Sequence, residues 1–165
     1  MMTIAQSLLP EFDAEMEATR RVLERVPEGK PEWKPHPKSM PFARLASLVA
    51  QMPGWAVSML TETVLKIPAG YEPEVVTTRK ELLDLFDKNV KTARDTIAKT
   101  PDAEFDKTWG LEWAGQMVFQ DPKPMIYRRM LMNHLVHHRA QLMVYLRLND
   151  VPVPGVYGAS ADEHG

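Results

Sequence analysis

The chain has 165 residues, 44% hydrophobic and 25% charged, with a formal net charge of −2; that length supports one well-buried core and is short for two, so a single domain over 1–165 is expected. The near-neutral charge without a dense basic block excludes the electrostatic footprint of a nucleic-acid binder, and no apolar run approaches the roughly 18–20 residues of a membrane span. With no cysteine, the chain has no disulfide, thiolate ligand or cysteine nucleophile.

Four long segments carry helical periodicity. In the first, Phe12, Met16, Thr19, Leu23 and Val26 recur at intervals of three and four and build one apolar stripe. Pro10 suits its opening turn, and Pro27 closes it. The residues before Pro10 lack the basic start and longer apolar run of a signal peptide, so a cytoplasmic protein is expected. From Pro27 to Pro41, five prolines in fifteen residues exclude a helix, and Trp33 within this loop is expected to pack over the core.

The second helix is predicted from about Pro41 to Lys66, with Ser39 as N-cap and Leu45, Leu48, Val49, Met52, Met59 and Leu60 facing inward. Pro53 has no N–H for the carbonyl of Val49, so a kink is predicted at Pro53–Gly54. Thr78-Arg-Lys-Glu81 has the form of a capping box and opens the third helix, whose stripe is Leu82, Leu85, Phe86, Val90, Ala93 and Ile97. Pro101 follows its end. About two dozen residues, Pro101 to Lys123, then cross the bundle in extended form, with only a weak signal for a hairpin. The fourth helix is predicted from near Pro124 to about Asn149, and Val151 to Gly165 reads as a loop laid against the surface.

Three of the five histidines lie in His134-Leu-Val-His137-His138-Arg139-Ala-Gln141, on the fourth helix. Residues four apart share a helix face, so His134 and His138 can aim two imidazoles at one point, with Met130, Gln141 and Tyr145 along the same side. His137 points elsewhere. Without further context such a pair is more often a hydrogen-bonded pair than a metal site, because catalytic zinc usually takes three protein ligands and an open position. Arg139 suits an ion pair or a carbonyl partner, and Gln141 and Tyr145 suit either ligand contact or helix–helix hydrogen bonding.

Trp33-Lys-Pro-His-Pro-Lys-Ser39, Arg44-Leu-Ala46 leading into Met52-Pro-Gly-Trp55, Asn133 to Leu142, Tyr145-Leu-Arg147, Val151-Pro-Val-Pro154 and Tyr157 to Glu163 together resemble a DinB-like protein over nearly the whole chain. The resemblance implies an all-α, DinB-like four-helix bundle with two long crossover connections, usually dimeric, with a divalent metal held by one histidine of the second helix and two of the fourth. His134 and His138 match the fourth-helix pair; Leu48 stands where the second-helix histidine would fall. Gln51 lies one turn further on, but a neutral amide is a poor substitute for imidazole on zinc or nickel. Glu62 is further along the face, and His36 belongs to the proline-rich loop. Ala140 and Asp150 are smaller departures that affect backbone packing more than chemistry. Ser160 and Asp162 read as a docking motif of the tail.

The expectation is therefore a small-molecule-binding bundle, or a weak zinc or nickel binder, with Leu48, Gln51, Gln141 and Tyr145 as candidate pocket residues beside His134 and His138. The alternative is a divalent-metal-dependent thiol S-transferase or hydrolase-like enzyme. A homodimer is expected, and neither nucleic acid nor membrane as partner.

Overall fold

In the computed structural model, which describes residues 2–164, four helical segments form a ring around one apolar core. Met1 and Gly165, the ends of the expected 1–165 unit, lie outside the described residues. Helix α1 (Ile4–Leu23) packs on α4 (Arg79–Lys99) and α7 (His134–Leu148), and α2 (Phe42–Gln51) packs on the same two helices. The first helix starts earlier than predicted. Thr3 and Gln6 form a reciprocal capping box, so Pro10 sits inside α1 instead of in its opening turn. The stripe Phe12, Met16, Thr19 and Leu23 is buried as expected.

The second helix begins at Phe42 after Pro41, which gives no side-chain cap, so Ser39 is not its N-cap. Its break falls where the proline placed it. A 3-10 turn over Met52–Gly54 separates α2 from α3 (Trp55–Thr61). Asn89 of α4 donates its Nδ2 to the Ala50 carbonyl at 3.0 Å, so a side chain serves backbone at the break. Gly54 makes that approach possible: a Cβ there would stand 2.8 Å from Asn89 Oδ1. Gly54→Ala is expected to push the Asn89 side chain off the Ala50 carbonyl and lower unfolding stability by up to about 1.5 kcal/mol, the value of that hydrogen bond, partly offset by alanine's helix propensity. A urea midpoint unchanged from wild type would contradict that.

The predicted helix to Lys66 instead stops at Thr61, where Glu62 turns extended and Val64–Ile67 become strand β1. The chain is thus not strictly all-α. A short helix α5 (Asp102–Phe105) leads into β2 (Thr108–Trp113) and β3 (Gln116–Pro122), an antiparallel hairpin with β1 added in parallel to β2. Ala114 and Gly115 turn the hairpin with φ of 50° and 81°, both in the left-handed region that two-residue hairpin loops need. Glycine adopts this freely, whereas alanine is an uncommon occupant.

The fourth helical segment opens with α6 (Lys123–Ile126), passes through a π-helical stretch over Tyr127–Asn133, and continues as α7. The tail docks as its motif suggested. Asp162 accepts from the Val153 N–H at 2.8 Å and from Arg147, while Glu163 receives Arg25 at 2.8 Å and also Arg21. Ser160 Oγ closes the turn by donating to the Val153 carbonyl at 2.6 Å.

Candidate functional site

The sheet does not lie flat on the bundle. Between them is a cavity of about 550 Å³. Leu48, Gln51, Trp55 and Met59 line it from α2 and α3, Met130 and His134 from the fourth segment, and Leu65, Trp109, Leu111 and Phe119 from the sheet. The connection after β1, through Pro68, Tyr71 and Pro73, forms its rim. That connection is fastened: Gln51 Nε2 donates to the Glu74 carbonyl at 2.7 Å, and the Val76 N–H donates to Ser47 Oγ at 3.0 Å. An apolar concavity with a few polar groups is the usual form of a small-molecule site.

At its inner wall His134 Nε2 stands 2.9 Å from His138 Nε2, and the Trp55 ring lies 5.7 Å from the His134 ring. Gln141 sets the protons. His138 Nδ1–H donates to Gln141 Oε1 at 2.8 Å, and Gln141 Nε2 donates in turn to His137 Nε2 at 3.1 Å. In this network His138 Nε2 carries a lone pair, which accepts the proton of His134 Nε2. Burial pushes the pKa of both rings below the ordinary histidine value. The neighbouring His138 and His137 add to this at His134; at His138 the Gln141 hydrogen bond opposes the shift, and His137 and Arg44 reinforce it.

The sign of the pH dependence follows. The unfolded chain binds protons at these rings from about pH 6.5 downward, whereas the folded chain resists them until lower pH. Their contribution to stability is complete above that unfolded value and is lost as pH falls from it through the depressed folded values. Urea midpoints measured across this window should fall with acidification, and a variant with both histidines replaced by leucine should lose that part of the slope. A wild-type midpoint that rises on acidification would contradict the direction.

A divalent metal fits the donor set poorly. Tetrahedral zinc with Zn–N near 2.05 Å would hold two imidazole nitrogens about 3.3 Å apart, but here the nitrogens approach as hydrogen-bond partners. Leu48 shares the cavity wall with His134 and has no donor atom. Among the described residues no group of three histidine, aspartate or glutamate side chains is placed to hold a metal. Glu62 accepts from Ser58 at 2.8 Å and lines a different hollow, and His36 accepts the Lys38 N–H within the proline-rich loop.

The candidate pocket residues therefore divide. Leu48 and Gln51 line the cavity; Gln141 stands behind the histidines, and the Tyr145 hydroxyl donates to the Met40 carbonyl at 3.1 Å beside Trp33 and Phe42. Arg139 is buried against Glu15 at 2.7 Å, in the structural role expected of it. Sequence reasoning missed the sheet side of the cavity and Arg44, which joins the lining. Three buried side-chain polar atoms lack a hydrogen-bond partner among the described residues, and two of them, Arg44 Nη1 and His134 Nδ1, belong to residues that line this cavity.

No family model matches the chain, and no curated protein matches it in sequence. Among solved structures it is similar to a DinB-like protein, YjoA, from Bacillus subtilis, with a TM-score of 0.67 and 14% identity over 87% of this chain and 92% of that one. The fold is DinB-like.

Proposed function

We propose that this chain, a single domain with the DinB-like fold, is a small-molecule-binding protein whose site is the cavity between bundle and sheet. The observation that carries the reading is the cavity itself: about 550 Å³, walled by apolar and aromatic side chains of both layers, with Arg44, Gln51 and His134 as polar residues of its helical wall. Its size falls within the roughly 300–1,000 Å³ of ligand pockets. The histidine pair meets the cavity through His134, as a mutually hydrogen-bonded couple with weak affinity for zinc or nickel.

N-phenyl-1-naphthylamine, a neutral apolar fluorophore, tests the reading. Its emission is expected to rise on saturable binding to the wild-type protein and to lose that rise in Leu111→Trp, which fills the cavity from the sheet. Absence of saturable binding, or binding unaffected by the filling, would overturn it.

A divalent-metal-dependent thiol S-transferase is the competing reading. One observation favours it: Gln141 holds His138 with its Nε2 lone pair turned towards His134, the tautomer a metal ligand needs. The donor count stands against it. We also propose a homodimer, in which Val144 and Leu148, one turn apart and each 56% exposed on α7, are the apolar side chains a partner would cover. Sedimentation at micromolar concentration should give twice the chain mass, and a monomer would contradict this.

A further inference from the structure

The geometry points to an organic anion as the ligand: a carboxylate with an apolar, preferably aromatic, body, its charged end held by Arg44 and its body against Trp55, Leu111 and Phe119. The inference rests on the cavity being a ligand site, and adds the charge of the occupant.

Arg44 lies on α2, one turn before Leu48, and both side chains line the cavity. A guanidinium is charged at every physiological pH and presents its donors in a planar fork that matches a carboxylate. Among the described residues its Nη1 is buried without a hydrogen-bond partner, although a buried polar group left unpaired costs stability. Among the described residues no aspartate or glutamate lines the cavity, so no wall residue supplies the counter-charge. Lys66, the other cation there, is 73% exposed and stands 3.9 Å from Glu112 across the β1–β2 pair. The charge awaiting a partner is therefore that of Arg44.

The rest of the wall fixes the shape of the ligand. Trp55 lines the cavity from the helical side and Leu65, Leu111 and Phe119 line it from the sheet, while Trp109 and Met59 are buried and back this wall. Flat apolar faces of this kind take an aromatic ring, with area burial as the driving force and ring stacking added to it. An inorganic anion would leave that surface wet, and an uncharged hydrocarbon would leave the guanidinium unpaired.

Calorimetric titration of the full chain with 1-naphthylacetate and with 1-naphthylacetamide tests this, because the two differ in charge and little in shape. The wild type is expected to bind the carboxylate roughly tenfold or more tighter than the amide. In Arg44→Met the carboxylate should fall to the level of the amide or below it while amide binding is retained, and Arg44→Lys should keep part of the preference. Equal binding of the two by the wild type, or a preference that survives in Arg44→Met, would overturn the anion while leaving the apolar site standing. Binding of neither would overturn both. Should Arg44→Met not fold, Arg44→Lys and the wild-type comparison decide the same question.

Discussion

Leu48→His is expected to raise zinc affinity by about 100-fold or more, since it adds a third imidazole to two that already face one another. In the wild type the Nε2 atoms of His134 and His138 share a proton at 2.9 Å, and metal binding must displace that proton as well as find further ligands in water. A histidine at position 48 enters from the opposite helix, on the cavity wall that His134 also forms. Three neutral imidazoles make an open zinc site. Because burial holds His134 and His138 below the ordinary histidine pKa, the variant should retain its metal to lower pH than exposed histidines allow and lose it as both rings protonate. Parallel zinc titrations of the two proteins check this. Tight, stoichiometric binding by the wild type, unchanged by the substitution, would show that another group already completes the site and would favour the enzyme reading.

The second large effect belongs to the support behind the site. Arg139, one residue from His138, has its side chain 2% exposed and pairs with Glu15 at 2.7 Å, with further bonds to Thr19 Oγ1 and the Tyr157 hydroxyl. Tyr157 in turn donates to Glu15, so helix α1, helix α7 and the tail meet at one guanidinium. Arg139→Met removes the cation and leaves a largely buried carboxylate without its partner, which is expected to cost about 3–5 kcal/mol. The double replacement with Glu15→Leu should recover much of that loss, because the cost lies in the stranded charge more than in the missing pair. Urea unfolding of the single and double variants measures both terms. A double variant no more stable than Arg139→Met would show that the pair is needed for packing as well.

The helices were legible where a local signal had one meaning. Thr78 and Glu81 cap α4 as their spacing indicates, and Pro53–Gly54 breaks the second helix. Thr3 and Gln6 carry the same capping signal at α1, but Pro10 competes with it as a helix start, and only the folded chain shows the proline inside the helix. The hairpin was obscured for a different reason: its turn uses Ala114 at φ 50°, where asparagine or glycine is the recognisable residue. Strand β1 was hidden by proximity to a helix, since Val64-Leu-Lys-Ile continues an apolar segment whose period is ambiguous over four residues.

The histidine pair was legible because i and i+4 are fixed by helix geometry. The cavity in front of it was not, since its walls come from residues as far apart in the chain as Leu48, Trp109 and His134, which no local pattern joins. The π-helical stretch before His134 is equally silent in the sequence, and such stretches often accompany functional sites. Arg44 belonged to a recognisable segment, yet its role depends on the absence of an acid around it, which is a property of the folded wall.

The four tryptophans provide the most direct test of the cavity as the ligand site. Trp55 and Trp109 line it, whereas Trp33 packs near Tyr145 outside it and Trp113 is 44% exposed at the hairpin end. In ¹H–¹⁵N spectra each indole Nε1–H gives its own signal, so one titration with N-phenyl-1-naphthylamine reports on all four positions. The expected result is movement of the Trp55 and Trp109 signals to saturation with those of Trp33 and Trp113 unmoved. Movement confined to Trp33 or Trp113, or no movement at any of the four, would contradict the assignment of the site.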